Sequence, residues 1–206
     1  MLVNKVIGLF RWIKKRWKSR RLKNSDFSII ASNCNGGVIV HDLHQQFRSP
    51  FVNLWILPGD FIRLLSSFDD YMEQELSFVK EDGIDYPVAM LKDVKIFFQH
   101  YSSEAEAREK WNKRKSRINK SNMFVMFTDR DGCTYQDLEQ FDSLPYAKKV
   151  VFTKQEYPDI KSAYYIKGFE NQESVGKLGS YKSKTSLNRY LDDFDYISWL
   201  NDKGKK

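Results

Sequence analysis

Apolar positions in this chain recur in two periods. Short apolar runs at Phe27–Ala31, Phe51–Leu57, Val94–His100, Met123–Thr128 and Val150–Thr153 have the length and composition of buried strands, and Val88–Leu91 is a shorter one. Between them, Phe61, Ile62, Leu64, Leu65, Phe68 and Met72 recur at i, i+3, i+4 spacing, which predicts a helix of about four turns. Ser103-Glu104-Ala105-Glu106 has capping-box form and opens a helix running to Ile118. Thr134-Tyr135-Gln136-Asp137 starts another, Val38–Gln46 gives a short helix after the first strand, and Leu187–Leu200 gives the last. The Gly-, Ser- and Lys-rich stretch Gly168–Ser186 reads as a mobile loop. Repeated strand–helix alternation predicts an α/β layered sandwich with a mainly parallel sheet. No internal repeat and no P-loop or dinucleotide fingerprint interrupts it.

A different pattern precedes this domain. On a helical wheel, Leu2, Val3, Val6, Ile7, Leu9, Phe10, Ile13 and Trp17 share one broad face, with most of the basic residues opposite. Nine of the 34 Lys and Arg residues lie in residues 1–24, which hold no acid. The other 25 face 27 acids, so the net charge of +7 belongs to this segment alone. The chain therefore divides into a basic amphipathic helical segment, 1–24, and a single α/β domain, 25–206. Such a helix suits the interface of an anionic membrane, where each Lys or Arg contributes roughly 1 kcal/mol. The competing reading packs the helix on its own domain with a solvated basic face. Nucleic acid is not an expected partner, because the domain itself is slightly acidic. Val6–Phe10, the longest charge-free apolar run in the segment, is too short for a signal peptide or a span. The expected location is cytoplasmic and peripheral on the inner face of the cell membrane. Two cysteines, Cys34 and Cys133, are too few for a disulfide framework there.

Candidate chemistry lies at the carboxyl ends of the expected strands, where open α/β sheets bind ligands. Asn33, Cys34, Gly36 and Gly37 follow the first strand, His100 ends another, and Asp129, Arg130 and Asp131 follow a third. Cys34 at a strand-to-helix turn is a candidate nucleophile. Gly36 and Gly37 would let the backbone approach a ligand and donate N–H groups to an oxyanion. His41, His44 and His100 are candidate bases or pocket residues. The alternative for Cys34 is a packed, inert thiol. Asp129-x-Asp131 could hold a divalent ion on a nucleotide sugar, although Asp-Gly is also a common turn. His41-x-x-His44 lacks a completing ligand and is not read as a metal site. The basic run from Arg108 to Lys120 reads as a solvated helix face, with a phosphate or lipid headgroup as the alternative partner.

Several motifs in order resemble a bacterial exopolysaccharide-biosynthesis family classed as a domain of unknown function. They are Ser32-Asn33-Cys34-Asn35-Gly36-Gly37, Arg48-Ser49-Pro50-Phe51-Val52-Asn53-Leu54, Phe98-Gln99-His100-Tyr101, Trp111-Asn112-Lys113-Arg114 and Phe127-Thr128-Asp129-Arg130-Asp131-Gly132-Cys133-Thr134. The resemblance covers most of residues 26–200 but not the basic N-terminus. It implies an α/β domain among capsule or exopolysaccharide genes, sometimes labelled an acetyltransferase, with no established mechanism. Many relatives carry an aromatic where Asn35 stands, so the wall of that turn differs here.

Residues and resemblance together lead to a sugar acyltransferase of surface-polysaccharide assembly. Cys34 would be the nucleophile, His100 or His44 the base, and Asp129 the group that orients it. Asn33, Gly36, Gly37, His41, Arg130 and Asp131 would bind a sugar or lipid-linked oligosaccharide, and an acyl-CoA would suit as donor. Two other readings stand beside it: a metal-dependent glycosyltransferase using Asp129 and Asp131, and a non-catalytic sugar-binding protein of the same pathway.

Overall fold

The computed structural model describes residues 2–202; Met1 and residues 203–206 lie outside the described residues, as does the side chain of Leu2. The chain runs α1 (Leu2–Arg21), β1 (Ser28–Ala31), α2 (Asn35–Asp42), β2 (Trp55–Ile56), α3 (Pro58–Ser66), α4 (Phe68–Glu73), β3 (Leu76–Val79), β4 (Val88–Leu91), β5 (Val94–Phe97), α5 (Glu104–Lys115), β6 (Met123–Thr128), α6 (Tyr135–Ser143), β7 (Lys149–Thr153), β8 (Ala163–Tyr165) and α7 (Tyr196–Asn201). The result is a mixed α/β fold with two sheets instead of one.

The first sheet is wholly parallel, in the order β1-β6-β7-β8. Its side chains alternate between two apolar clusters. Ile29, Ala31, Phe124, Met126, Val150 and Phe152 join Ile39 of α2 and Ile197 of α7. Ile30, Val125, Phe127 and Val151 join Phe61, Leu64, Trp111 and Phe141 of the other helices. A sheet buried on both faces needs uninterrupted apolar strands, which is why these runs stand out in the sequence.

The second sheet is antiparallel, in the order β2-β5-β4-β3. The expectation of a mainly parallel sheet is corrected here. Leu91 pairs with Val94 across a turn of Lys92 and Asp93, with Lys92 at φ 59°. Two residues can join only antiparallel strands, since a parallel crossover needs a dozen or more. The sheets meet at Ser32, whose N–H donates to Met126 O (3.1 Å) while its carbonyl accepts from Ile56 N (2.9 Å).

Helix boundaries follow local chemistry. Ser103 Oγ accepts from Glu106 N (3.2 Å), and the Glu106 carboxylate accepts from Ser102 N (2.9 Å), so α5 begins where its capping residues stand. Thr134 and Asp137 form the reciprocal box that opens α6. The long helix expected through Met72 is broken at Ser67, whose φ of −136° and ψ of 46° are not helical. Leu187–Leu200 is not one helix but a short 3-10 turn, Tyr190–Asp193, followed by α7. Gly168–Ser186 is irregular but packed: Phe169, Val175 and Leu178 are buried in the α2 side of the core.

α1 packs on its own domain, as the competing reading expected, but through its basic face and not its apolar one. Arg11 Nε donates to Ser186 O (3.0 Å), Lys14 pairs with Asp192 (2.8 Å), Lys15 with Asp42 (2.7 Å) and Lys18 with Asp192 (2.5 Å). Ser19 Oγ donates to Leu43 O (2.8 Å) and Leu22 packs on the core, so a largely basic stripe faces the domain. Val3, Val6, Leu9, Phe10, Trp12, Ile13 and Trp17 remain exposed. Among the described residues, no helix is long and apolar enough to cross a membrane.

Candidate active site

Because β1 and β6 are parallel neighbours, the segments following them open on the same rim. Asn33 connects the two. Its Oδ1 accepts from Asn35 N (3.1 Å), starting the turn into α2, and its Nδ2 donates to Thr128 Oγ1 (3.0 Å) at the end of β6. Cys34 caps α2, half-buried, with Sγ 3.8 Å from Leu54 O.

A cavity of about 560 Å3 opens beside this turn. One wall is Asn33, Cys34 and Asn35, and Arg130 and Asp131 come from the turn after β6. Trp55 comes from β2 of the second sheet, Gln99 and His100 from the segment just after β5, and Tyr86 from the β3–β4 connection. Lys177, Gly179 and Ser180 of the irregular segment close the remaining side. Trp55 is held flat by its cross-strand partner Phe97, with ring centroids 3.9 Å apart and planes 6° from parallel.

Burial pushes the Cys34 thiol above its ordinary value, and the nearby Arg130 guanidinium partly opposes this. The resting group is therefore a thiol that needs a base, not a preformed thiolate. His100 lines the same cavity, although among the described residues no hydrogen bond joins Cys34 to a histidine. Among the described residues Lys177 has no ion-pair partner, and Arg130 pairs with Asp131 at 4.0 Å. The cavity thus offers a thiol, an imidazole, two cations, one carboxylate and an aromatic face, which suits a polar ligand carrying rings and negative charge.

The residues anticipated for this site separate into two groups. Asn33, Cys34, His100, Arg130 and Asp131 share the cavity. Asp129 does not reach it: its carboxylate is buried and accepts from Val175 N (2.8 Å) and Lys154 N (2.7 Å). Burial raises its pKa against those two bonds. Asp129 and Asp131 therefore do not present a carboxylate pair to one ligand. Gly36 and Gly37 serve packing. A Cβ on Gly36 would lie 2.8 Å from Ile29 Cγ2, and one on Gly37 would lie 3.3 Å from Val52 Cγ1. Both are buried and neither lines the cavity, so the expected ligand-binding role is not where the structure places them. His41, in the last turn of α2 about 10 Å along its axis from Cys34, and His44, beyond the helix end, stand exposed. Cys133 packs on the core with its thiol pushed up to about 12 by burial.

Trp55, Tyr86, Gln99 and Lys177 were not anticipated from the sequence. Gln99 stood next to His100 in a recognised motif. Lys177 lay in a stretch whose composition says loop and whose packing depends on the distant Asp129.

Two comparisons bear on this arrangement. The profile of a family described as a domain of unknown function (DUF1919) matches residues 5–201. An uncharacterized protein of Haemophilus influenzae (strain ATCC 51907 / DSM 11121 / KW20 / Rd) is 49% identical over 191 residues, which cover 93% of this chain and 92% of that protein.

Proposed function

The chain belongs to the DUF1919 family, a domain of unknown function, and we propose that its cavity is the active site of a sugar acyltransferase of bacterial exopolysaccharide or capsule assembly. The observation that carries this reading is that Cys34 and His100, which follow strands of two different sheets, line one cavity with Arg130 and Asp131. The Cys34 sulfur attacks the carbonyl carbon of a thioester donor such as an acyl-CoA. The new S–C bond forms as the donor sulfur leaves, and the thiol proton passes through His100 to that leaving sulfur. A sugar hydroxyl then attacks the acyl group, its proton goes to His100 and on to the departing Cys34, and the thiol is restored. Trp55 offers a face to the sugar ring, while Asp131 and Arg130 orient its hydroxyls. We place the enzyme peripherally on the inner face of the cell membrane, where a lipid-linked oligosaccharide would be presented.

A sugar-binding protein of the same pathway is the second reading, favoured by the raised thiol pKa and the missing Cys34–His100 bond. One measurement separates them. Incubation with acetyl-CoA followed by intact-mass and peptide analysis should place one acetyl group on Cys34, lost in Cys34→Ser and slowed in His100→Asn. An unmodified Cys34 across donors of different acyl length would overturn the transferase in favour of the binding protein.

A further inference from the structure

We propose that α1 seats this protein on an anionic lipid bilayer through its apolar outer face, while its basic inner face serves as the joint to the domain. The inference rests on the peripheral placement given above and specifies its surface. Val3, Val6, Phe10, Ile13 and Trp17 follow one another at spacings of three and four, so they form one continuous stripe. Each is about half exposed or more, from 45% at Val6 to 64% at Val3. A stripe of this kind on a water-soluble surface marks an interaction site.

Charge selects the occupant. Four cations, Arg11, Lys14, Lys15 and Lys18, are spent on backbone carbonyls and carboxylates of the domain. Lys5, Arg16 and Arg20 flank the exposed stripe without ion-pair partners among the described residues, and the first acid in the chain is Asp26. An anionic headgroup layer over an acyl interior matches both features. A second copy of the chain would instead bring like cations together. Trp17 suits the boundary between the two zones, with Arg21 over its ring at 4.6 Å.

The joint also leads to the cavity. Lys15 pairs with Asp42, Asp42 accepts from Arg189, and Arg189 donates to the carbonyl of Gly179, a cavity wall residue. A bilayer under α1 therefore sets the height of the cavity above the lipid.

The full chain is mixed with vesicles of phosphatidylglycerol and phosphatidylcholine, and with phosphatidylcholine alone, then sedimented. The expected result is at least tenfold preference for the anionic vesicles, quenching of Trp17 by brominated lipid, and at least tenfold weaker binding of Phe10→Glu/Ile13→Glu with unchanged circular dichroism. If that double variant binds like the parent, the protein reaches the membrane by another surface, so the stripe is overturned and the peripheral placement stands. If the parent stays in the supernatant with both vesicles, both ideas fail. Concentration-dependent dimerisation abolished by Phe10→Glu/Ile13→Glu would overturn the lipid occupant in favour of a second copy.

Discussion

Arg189 Nε lies 2.9 Å from Asp42 Oδ2, at the far end of the helix that Cys34 begins. The same carboxylate accepts Lys15 of α1 at 2.7 Å, so one buried aspartate holds the N-terminal helix and a strut of the cavity wall. Burial alone would raise its pKa; the hydrogen bonds from Lys15 and Arg189 outweigh this and hold it below the ordinary aspartate value.

Asp42→Asn should cost about 2 kcal/mol, because a charge-assisted buried acceptor is replaced and two cations lose their counter-charge. Denaturant unfolding measures this. Lys15→Ala in the Asp42→Asn background should cost much less than in the parent, since both act on one network. Additive losses would show the two to be independent.

Undocking of α1 should follow acid. Asp42 and Asp192 both have folded pKa values below the ordinary 3.8, so their contribution is fully present above that value. It is lost as pH falls through the lower folded values. Amide exchange across α1 should thus stay slow from neutral pH down to about 4 and accelerate below it. Loss of protection near neutral pH would contradict the aspartate joint.

Asp129→Ala should lower stability by roughly 2 kcal/mol, leaving the N–H groups of Val175 and Lys154 without their acceptor. Asp131→Asn, at an exposed turn, should change the unfolding midpoint little while weakening turnover. If Asp129→Ala keeps full stability and loses only activity, the carboxylate works on substrate and not on the fold.

Cys34 should alkylate slowly at neutral pH, with the midpoint of its rate profile above the ordinary thiol value of 9.0. Because Arg130 opposes the upward shift, Arg130→Ala should move the alkylation profile to still higher pH. Cys133, pushed up to about 12, should remain the slower of the two thiols. Peptide-resolved labelling over a pH series checks all three statements.

The parallel sheet is plain in the sequence because burial on both faces leaves apolar runs at Ile29–Ala31, Phe124–Phe127 and Val150–Phe152. The antiparallel sheet was equally legible in one respect: two residues between Leu91 and Val94 already demand a hairpin. Cys34 and His100 could be chosen from their places after apolar strands, yet His100 arrives at the cavity after a strand of the second sheet. Asp129 misled, since a carboxylate after a buried strand has the same pattern whether it meets substrate or backbone. Which face of α1 packs inward was not legible. Periodicity separates the faces of a helix, but the partners that choose between them, Asp42 and Asp192, lie far along the chain.

The peptide of Ser32 has a mechanical consequence for the neighbouring thiol. Bonded to Met126 on one side and Ile56 on the other, it is a weld between the two sheets, only two residues before Cys34. Neither sheet can swing without straining that weld, so the sulfur keeps a fixed station relative to Trp55. The opposite bank is held differently: Lys177 and Ser180 sit on backbone outside any strand or helix, and Gly179 between them is tied to Arg189. The reacting end of any ligand would thus be registered against the same rigid corner.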